Sequence, residues 1–116
     1  MLSESAFIAA ADATLTRIGA ALDEVLDDAD VDVDWSLNDG ILEIECEDGS
    51  KLIVNRHVAN RELWVAARAG GFHFRPQDGA WRDTRSGDEL AAALAVLLHT
   101  QAGVDVTLGA LPAPAA

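Results

Sequence analysis

Between Glu4 and Leu26 the apolar residues Phe7, Ala11, Leu15, Ile18, Leu22 and Val25 recur in steps of three and four. That spacing predicts an amphipathic helix with one buried stripe. Ser3 is placed to cap its first turn, and Gly19 is a mild interior cost. Asp12, Thr16, Asp23 and Asp27 fall off the stripe and are expected to face water. After Asp28 the period drops from 3.6 to 2. Val31, Val33, Trp35 and Leu37 alternate with Asp32, Asp34 and Ser36, which predicts a strand with one buried face.

Asn38-Asp39-Gly40 signals a hairpin turn, and Leu42, Ile44 and Cys46 then alternate with Glu43, Glu45 and Glu47. Asp48-Gly49 predicts the next turn, with Leu52 and Val54 on the inner face of a third strand. A fourth strand is expected at Leu63 to Ala67, with Leu63 and Val65 inward and Trp64 outward. Gly70-Gly71 interrupts it, Phe72 to Arg75 is extended, and Gln77-Asp78-Gly79 turns the chain back to Trp81. Ser86-Gly87-Asp88-Glu89 has the form of a capping box. The helix it introduces buries Leu90, Leu94, Leu97 and Leu98, and Gly103 suits its C-terminal end. Val104 to Leu108 is expected to be short and extended, and residues 109–116 to form a disordered tail. The order predicts an α+β fold, a two-layer α-β sandwich with two helices packed on one face of an antiparallel sheet. One domain, residues 1–108, accounts for the 116-residue chain apart from the tail.

Half the residues are hydrophobic, which predicts a globular chain. The longest apolar run, near Leu90 to Leu98, is too short to cross a bilayer, so no membrane role is expected. The first residues have no basic region of the kind a signal peptide carries, and a lone cysteine, Cys46, fits a reducing compartment. A cytoplasmic location is expected.

Charge is unevenly placed. Residues 1–48 hold fourteen of the twenty acids and a single base, Arg17, whereas the remainder is nearly neutral. Asp23 to Trp35 concentrates seven carboxylates, Asp23, Glu24, Asp27, Asp28, Asp30, Asp32 and Asp34, with no base among them. Such a face repels nucleic acid and suits cations or a basic protein surface. Asp23 and Asp27, and likewise Glu24 and Asp28, stand four apart on the helix. Like-charge pairs there cost only a few tenths of a kcal/mol, so a plain solvated face is the competing reading. Oxygen donors without thiolate or imidazole suit hard cations such as Mg²⁺, Ca²⁺ and Mn²⁺ and, more loosely, iron. No glycine follows Asp34 to make the calcium loop of an EF-hand, so an open and weak site is expected.

Signatures of common catalytic sites are missing: no phosphate-binding glycine loop, no GxSxG, no HExxH and no CxxC. Cys46 alternates with Leu42 and Ile44 and is expected to be buried and inert. His99 is expected to cap the end of the second helix, and His73 to be a surface residue, with metal ligation the minority reading. Trp64, outward beside Arg56 and Arg61, has the makings of an interaction anchor, the alternative being a ring packed at a sheet edge.

The segment VNRHVANRELWVAARAGGFHF, Val54 to Phe74, resembles the sheet core of the frataxin family, its bacterial CyaY-type branch in particular. NDGILEIECEDGSKLIVNR before it and DGAWRDTRSGDEL after it match the same family in order, so the resemblance covers about residues 4–108. It implies the same α-β sandwich and a non-enzymatic role in iron–sulfur cluster assembly, as iron donor or regulator of the cysteine desulfurase. It implies weak, exposed binding of Fe²⁺/Fe³⁺ along Asp23, Glu24, Asp27, Asp28, Asp30, Asp32 and Asp34. The desulfurase and the cluster scaffold protein are the implied partners, met by a sheet surface carrying Asn55, Arg56, His57, Arg61 and Trp64. A monomer is expected, with metal-dependent oligomers as the alternative. Family members usually carry Gln where this chain has His57, Pro at Ala59 and Gln at Glu62. Two other functions are weighed beside this one: a ferroxidase or iron-storage protein, and an acidic interaction domain without a metal role.

Overall fold

The structure, a computed structural model, describes residues 2–114. Helix α1 spans Glu4–Leu26, and the Ser3 hydroxyl accepts the Ala6 amide at 3.1 Å to close its first turn. Of the predicted stripe, Phe7, Ala11, Leu15, Ile18 and Leu22 are fully buried, and Val25 in the last turn is half-buried. Six strands follow: β1 Asp34–Asn38, β2 Ile41–Glu45, β3 Lys51–His57, β4 Glu62–Ala67, β5 Gly70–Gln77 and β6 Ala80–Asp83. They form one antiparallel meander in sequence order. Asp39 and Gly40 both take positive φ, 50° and 78°, and Asp78 and Gly79 repeat the pattern at 55° and 78°. Two such residues make the tight turn whose twist matches a hairpin.

Alternation sets which face is buried. Leu42, Ile44, Leu52, Val54, Leu63, Val65, Phe74 and Trp81 face the helices and are at most 2% exposed. Trp81 meets Phe7 edge-to-face, centroids 5.9 Å apart. Cys46 is buried, as its parity predicts. Strand β1 starts at Asp34 rather than at Val31, although Val33 is already buried. The indole of Trp35 lies directly on Gly19 of α1, where a β-carbon would come within 2.6 Å of the ring. The glycine is therefore where the sheet and α1 make their close approach.

The second helix departs from expectation at both ends. Helix α2 is Leu90–Leu97, its cap position is Glu89, and no side chain caps it. Ser86 instead accepts the Asp88 amide at 3.1 Å within a turn, and Glu89 bridges to Arg82 at the edge of β6. That extra bridge delays the helix, so the capping box does not form. A single wide π-type turn, Leu98–Ala102, follows α2 and ends at Gly103 with φ 71°. Within it Gln101 accepts the Arg68 amide at 2.9 Å and donates to the Ser50 hydroxyl and the Lys51 carbonyl. Val104, Val106 and Leu108 are buried in turn along an extended stretch that joins no sheet. The disordered tail expected at 109–116 is docked chain as far as 114. Leu111 is buried, and the Pro112 carbonyl accepts the Trp81 indole N–H at 2.6 Å and the Thr14 hydroxyl. The indole N–H also reaches the Thr14 hydroxyl at 3.0 Å, so the carbonyl closes a buried three-group cluster and gives the Thr14 hydroxyl its acceptor. Residues 115 and 116 lie outside the described residues.

Candidate functional site

Two surfaces carry the chemistry. The first lies where α1 hands over to β1. All seven carboxylates from Asp23 to Asp34 are exposed. Helix α1 has no base in its last turn, so Asp23, Glu24 and Asp27 sit at its electronegative end, where negative charge is disfavoured. Asp27 keeps helical angles, which preserves its alignment with Asp23. Asp23 accepts the Trp35 indole N–H at 2.8 Å, tying the helix side of the ridge to the strand side. Among the described residues Arg17, 3.7 Å from Glu24, is the one base paired with any of the seven.

The seven do not share one face. Asp34 stands opposite Glu45 on the outer side of the sheet, whereas Asp23 follows the helix layer. Glu24, Asp28 and Asp30 line an open depression with Asp105, brought in by the returning chain after Gly103. Asp105 is held to the His99 ring at 2.7 Å. Glu47 adds a further carboxylate by accepting the Asp32 amide at 3.3 Å. Sequence spacing gave no signal for Asp105, while Glu47 was legible from its outward alternation. No three histidine, cysteine or carboxylate groups among the described residues converge on a single point. The donor set is oxygen-rich and open, and it fits a hard, hydrated cation held through one or two carboxylates and water.

The second surface is the outer face of the sheet. Register places Asn55, Trp64 and His73 side by side on β3, β4 and β5. The Trp64 indole lies between two imidazoles: His57 on one side at 3.7 Å and 8°, His73 on the other at 4.2 Å and 7°. Both imidazoles therefore face the indole rather than each other, and they do not converge on a common metal position. Glu62, next but one along β4, is 4% exposed. It accepts the Trp64 N–H at 2.8 Å and an Arg75 N–H at 3.1 Å, with the His73 ring 3.8 Å away. An apolar depression beside the stack is lined by Ile41, Ile53, Ala66 and Gly71.

Two residues expected on this surface are placed differently. Arg56 stands opposite Leu63, so its side chain turns to the helix layer and pairs with Asp12 of α1 at 2.6 Å and with Asp39 at 3.7 Å. It is a strut between layers and no part of the outer face; its parity in β3, opposite to that of Asn55 and His57, excludes it. Arg61 occupies the β3–β4 turn at φ 56° and folds its guanidinium back on the Val58 carbonyl. Glu62 and His73 were not expected as surface partners of Trp64. The i, i+2 spacing of Glu62 and Trp64 was the available signal. Away from both surfaces, Asp48 is paired with Arg68. That guanidinium, then the hydroxyl and amide of Ser50, hold its carboxyl well below the usual range, and Arg68 is raised in return.

A family model described as a frataxin-like domain matches residues 1–104. The chain belongs to the frataxin-like family. Its curated relatives include two proteins named iron-sulfur cluster assembly protein CyaY. That of Ralstonia pickettii (strain 12J) is 51% identical over 110 residues, 94% of this chain and 96% of its own. That of Ralstonia nicotianae is 50% identical over 107 residues, 92% and 95%. Among solved structures, the frataxin of Psychromonas ingrahamii superposes with a TM-score of 0.83 at 31% identity, covering 93% of this chain and 99% of its own. The trimeric frataxin of Saccharomyces cerevisiae, solved in a ferrous complex, shares the fold with a TM-score of 0.71 at 20% identity, covering 90% and 89%. The two solved structures share the sandwich, which here consists of two helices on a six-stranded antiparallel sheet.

Proposed function

We propose that this frataxin-like protein serves iron–sulfur cluster assembly in the cytoplasm as a non-enzymatic iron-binding adaptor. The ridge from Asp23 to Asp34 holds Fe²⁺ or Fe³⁺ weakly and also meets a basic surface of the cysteine desulfurase. The outer sheet face, centred on Trp64 with Asn55 and His57, docks the scaffold protein. The observation that carries the reading is the run of seven exposed carboxylates, placed partly at the negative end of α1 and paired with one base among the described residues. Crowded like charge without internal compensation favours an external cation or a basic partner. The names borne by the Ralstonia relatives support the assignment to cluster assembly.

The test is a variant in which Asp23, Asp27, Asp30 and Asp32 become Asn. Even in bulk water one unit charge at 4 Å is worth about 1 kcal/mol, so losing four lowers affinity for iron and for the desulfurase by about tenfold or more. All four side chains are exposed, so thermal unfolding should change little. Unchanged affinity for both ligands would sink the proposal. Oxygen uptake after anaerobic iron loading is the companion measurement: stoichiometric, saturable turnover would make the protein a ferroxidase instead.

A further inference from the structure

Glu62 is a carboxylate on the outer face of a sheet and yet is 4% exposed. Burying a carboxylate is unfavourable unless its oxygens are bonded. Both are used: one accepts the Trp64 N–H at 2.8 Å, the other an Arg75 N–H at 3.1 Å. The stacked imidazoles of His57 and His73 fix the plane of the indole. A tethered indole keeps its plane after a half-turn about Cβ–Cγ, so stacking alone does not decide which way the N–H edge points, and the buried His57 Nδ1 takes no bond from it. The bond to Glu62 is what points the indole edge in one direction.

Because both ring faces are covered, a partner can meet Trp64 only at its edge and along the flanking imidazoles. Which edge it meets is set by Glu62. We propose that Glu62 is a positioning residue, which determines the affinity of the outer sheet face by holding Trp64 edge-on within the three-ring stack. This rests on the reading of that face as the scaffold-docking surface.

A double-mutant cycle on scaffold binding tests it. Glu62→Leu removes the acceptor and should weaken binding about tenfold when Trp64 is present, yet change nothing in a Trp64→Ala background. Glu62→Gln still offers an oxygen to the indole N–H and should restore affinity to within about twofold. The spectroscopic companion is the Trp64 indole proton, with the ring-current shifts of the His57 and His73 imidazole protons. These should move in Glu62→Leu and hold in Glu62→Gln. Trp64→Phe keeps a ring between the plates but has no N–H to donate, so it should lose affinity as Glu62→Leu does, even where that variant fails to fold. Equal losses in both Trp64 backgrounds, or full affinity for Trp64→Phe, would overturn the positioning role alone. Unchanged binding by Trp64→Ala would overturn the docking surface itself, and the role of Glu62 with it.

Discussion

Substituting Gly19 with alanine sets two effects against each other. In the interior of a helix alanine is favoured over glycine by about 1 kcal/mol. Here the new β-carbon would lie 2.6 Å from Cη2 and 2.8 Å from Cζ3 of Trp35. The ring cannot withdraw freely, since its N–H is bonded to Asp23 at 2.8 Å. Overpacking of this kind costs about 1–3 kcal/mol, and loss of the exposed indole–carboxylate bond about 1 kcal/mol more. The clash therefore wins, and Gly19→Ala should destabilise by about 1–3 kcal/mol, lowering Tm by roughly 4–12 °C. Urea and thermal unfolding measure the loss, and the Trp35 indole proton reports release from Asp23. In a Trp35→Ala background the obstacle is gone, so the same substitution should stabilise by about 1 kcal/mol. A stabilising Gly19→Ala with Trp35 in place and its indole signal unmoved would refute the close approach of α1 and β1.

Three further outcomes are expected. Leu111→Ala should cost about 2 kcal/mol and speed hydrogen exchange at the Trp81 indole, whose N–H is covered by Pro112; no change in either would mean that the segment is not docked. Arg56→Gln should lower stability by about 1–2 kcal/mol while leaving scaffold affinity intact, because Arg56 bonds Asp12 within the fold; a loss of affinity at full stability would return it to the outer face. The pair Asp48–Arg68 gives a pH dependence whose sign follows from the depressed carboxyl. Its contribution is complete above the ordinary aspartate value of about 3.9 and fades as acid titrates the folded group. Urea midpoints of the native protein and Asp48→Asn should therefore differ at neutral pH, by less in high salt, and converge in acid. Curves that diverge on acidification would contradict the pairing.

Local periodicity was enough to predict α1, an antiparallel meander and the inward parity of Leu63 and Val65, because each rests on contacts within a few residues or on the two-residue alternation of a pleated strand; that the meander has six strands is seen in the structure. What could not be seen depends on contacts made across long stretches of chain. Asp105 joins the ridge only because the chain turns at Gly103. Leu111 and Pro112 pack where Thr14 and Trp81, far apart in sequence, converge: the Thr14 hydroxyl donates to the Pro112 carbonyl and the Trp81 N–H is shared between the two. The capping box failed for a related reason: the bridge from Glu89 to Arg82 outcompetes helix initiation at Ser86. Arg56 was within reach of sequence reasoning, since its parity is that of Val54 and opposite to that of Asn55. The ring stack is intermediate: register made neighbours of Trp64 and His73, but the burial of Glu62 beneath them appears only in the assembled sheet.

An iron-binding ridge at the carboxylates between Asp23 and Asp34 predicts a local paramagnetic response. Anaerobic addition of Fe²⁺ to the ¹⁵N-labelled protein tests it most directly, because the paramagnetic ion broadens resonances within its own neighbourhood. Broadening should begin between Asp23 and Asp34, extend to Asp105 across the shared depression, and spare Asn55, Trp64 and His73 on the outer sheet face. When Asp23, Asp27, Asp30 and Asp32 are replaced by Asn, about tenfold more iron or beyond should be needed for the same broadening. Broadening centred on His57 and His73, or none at several equivalents of iron, would contradict it.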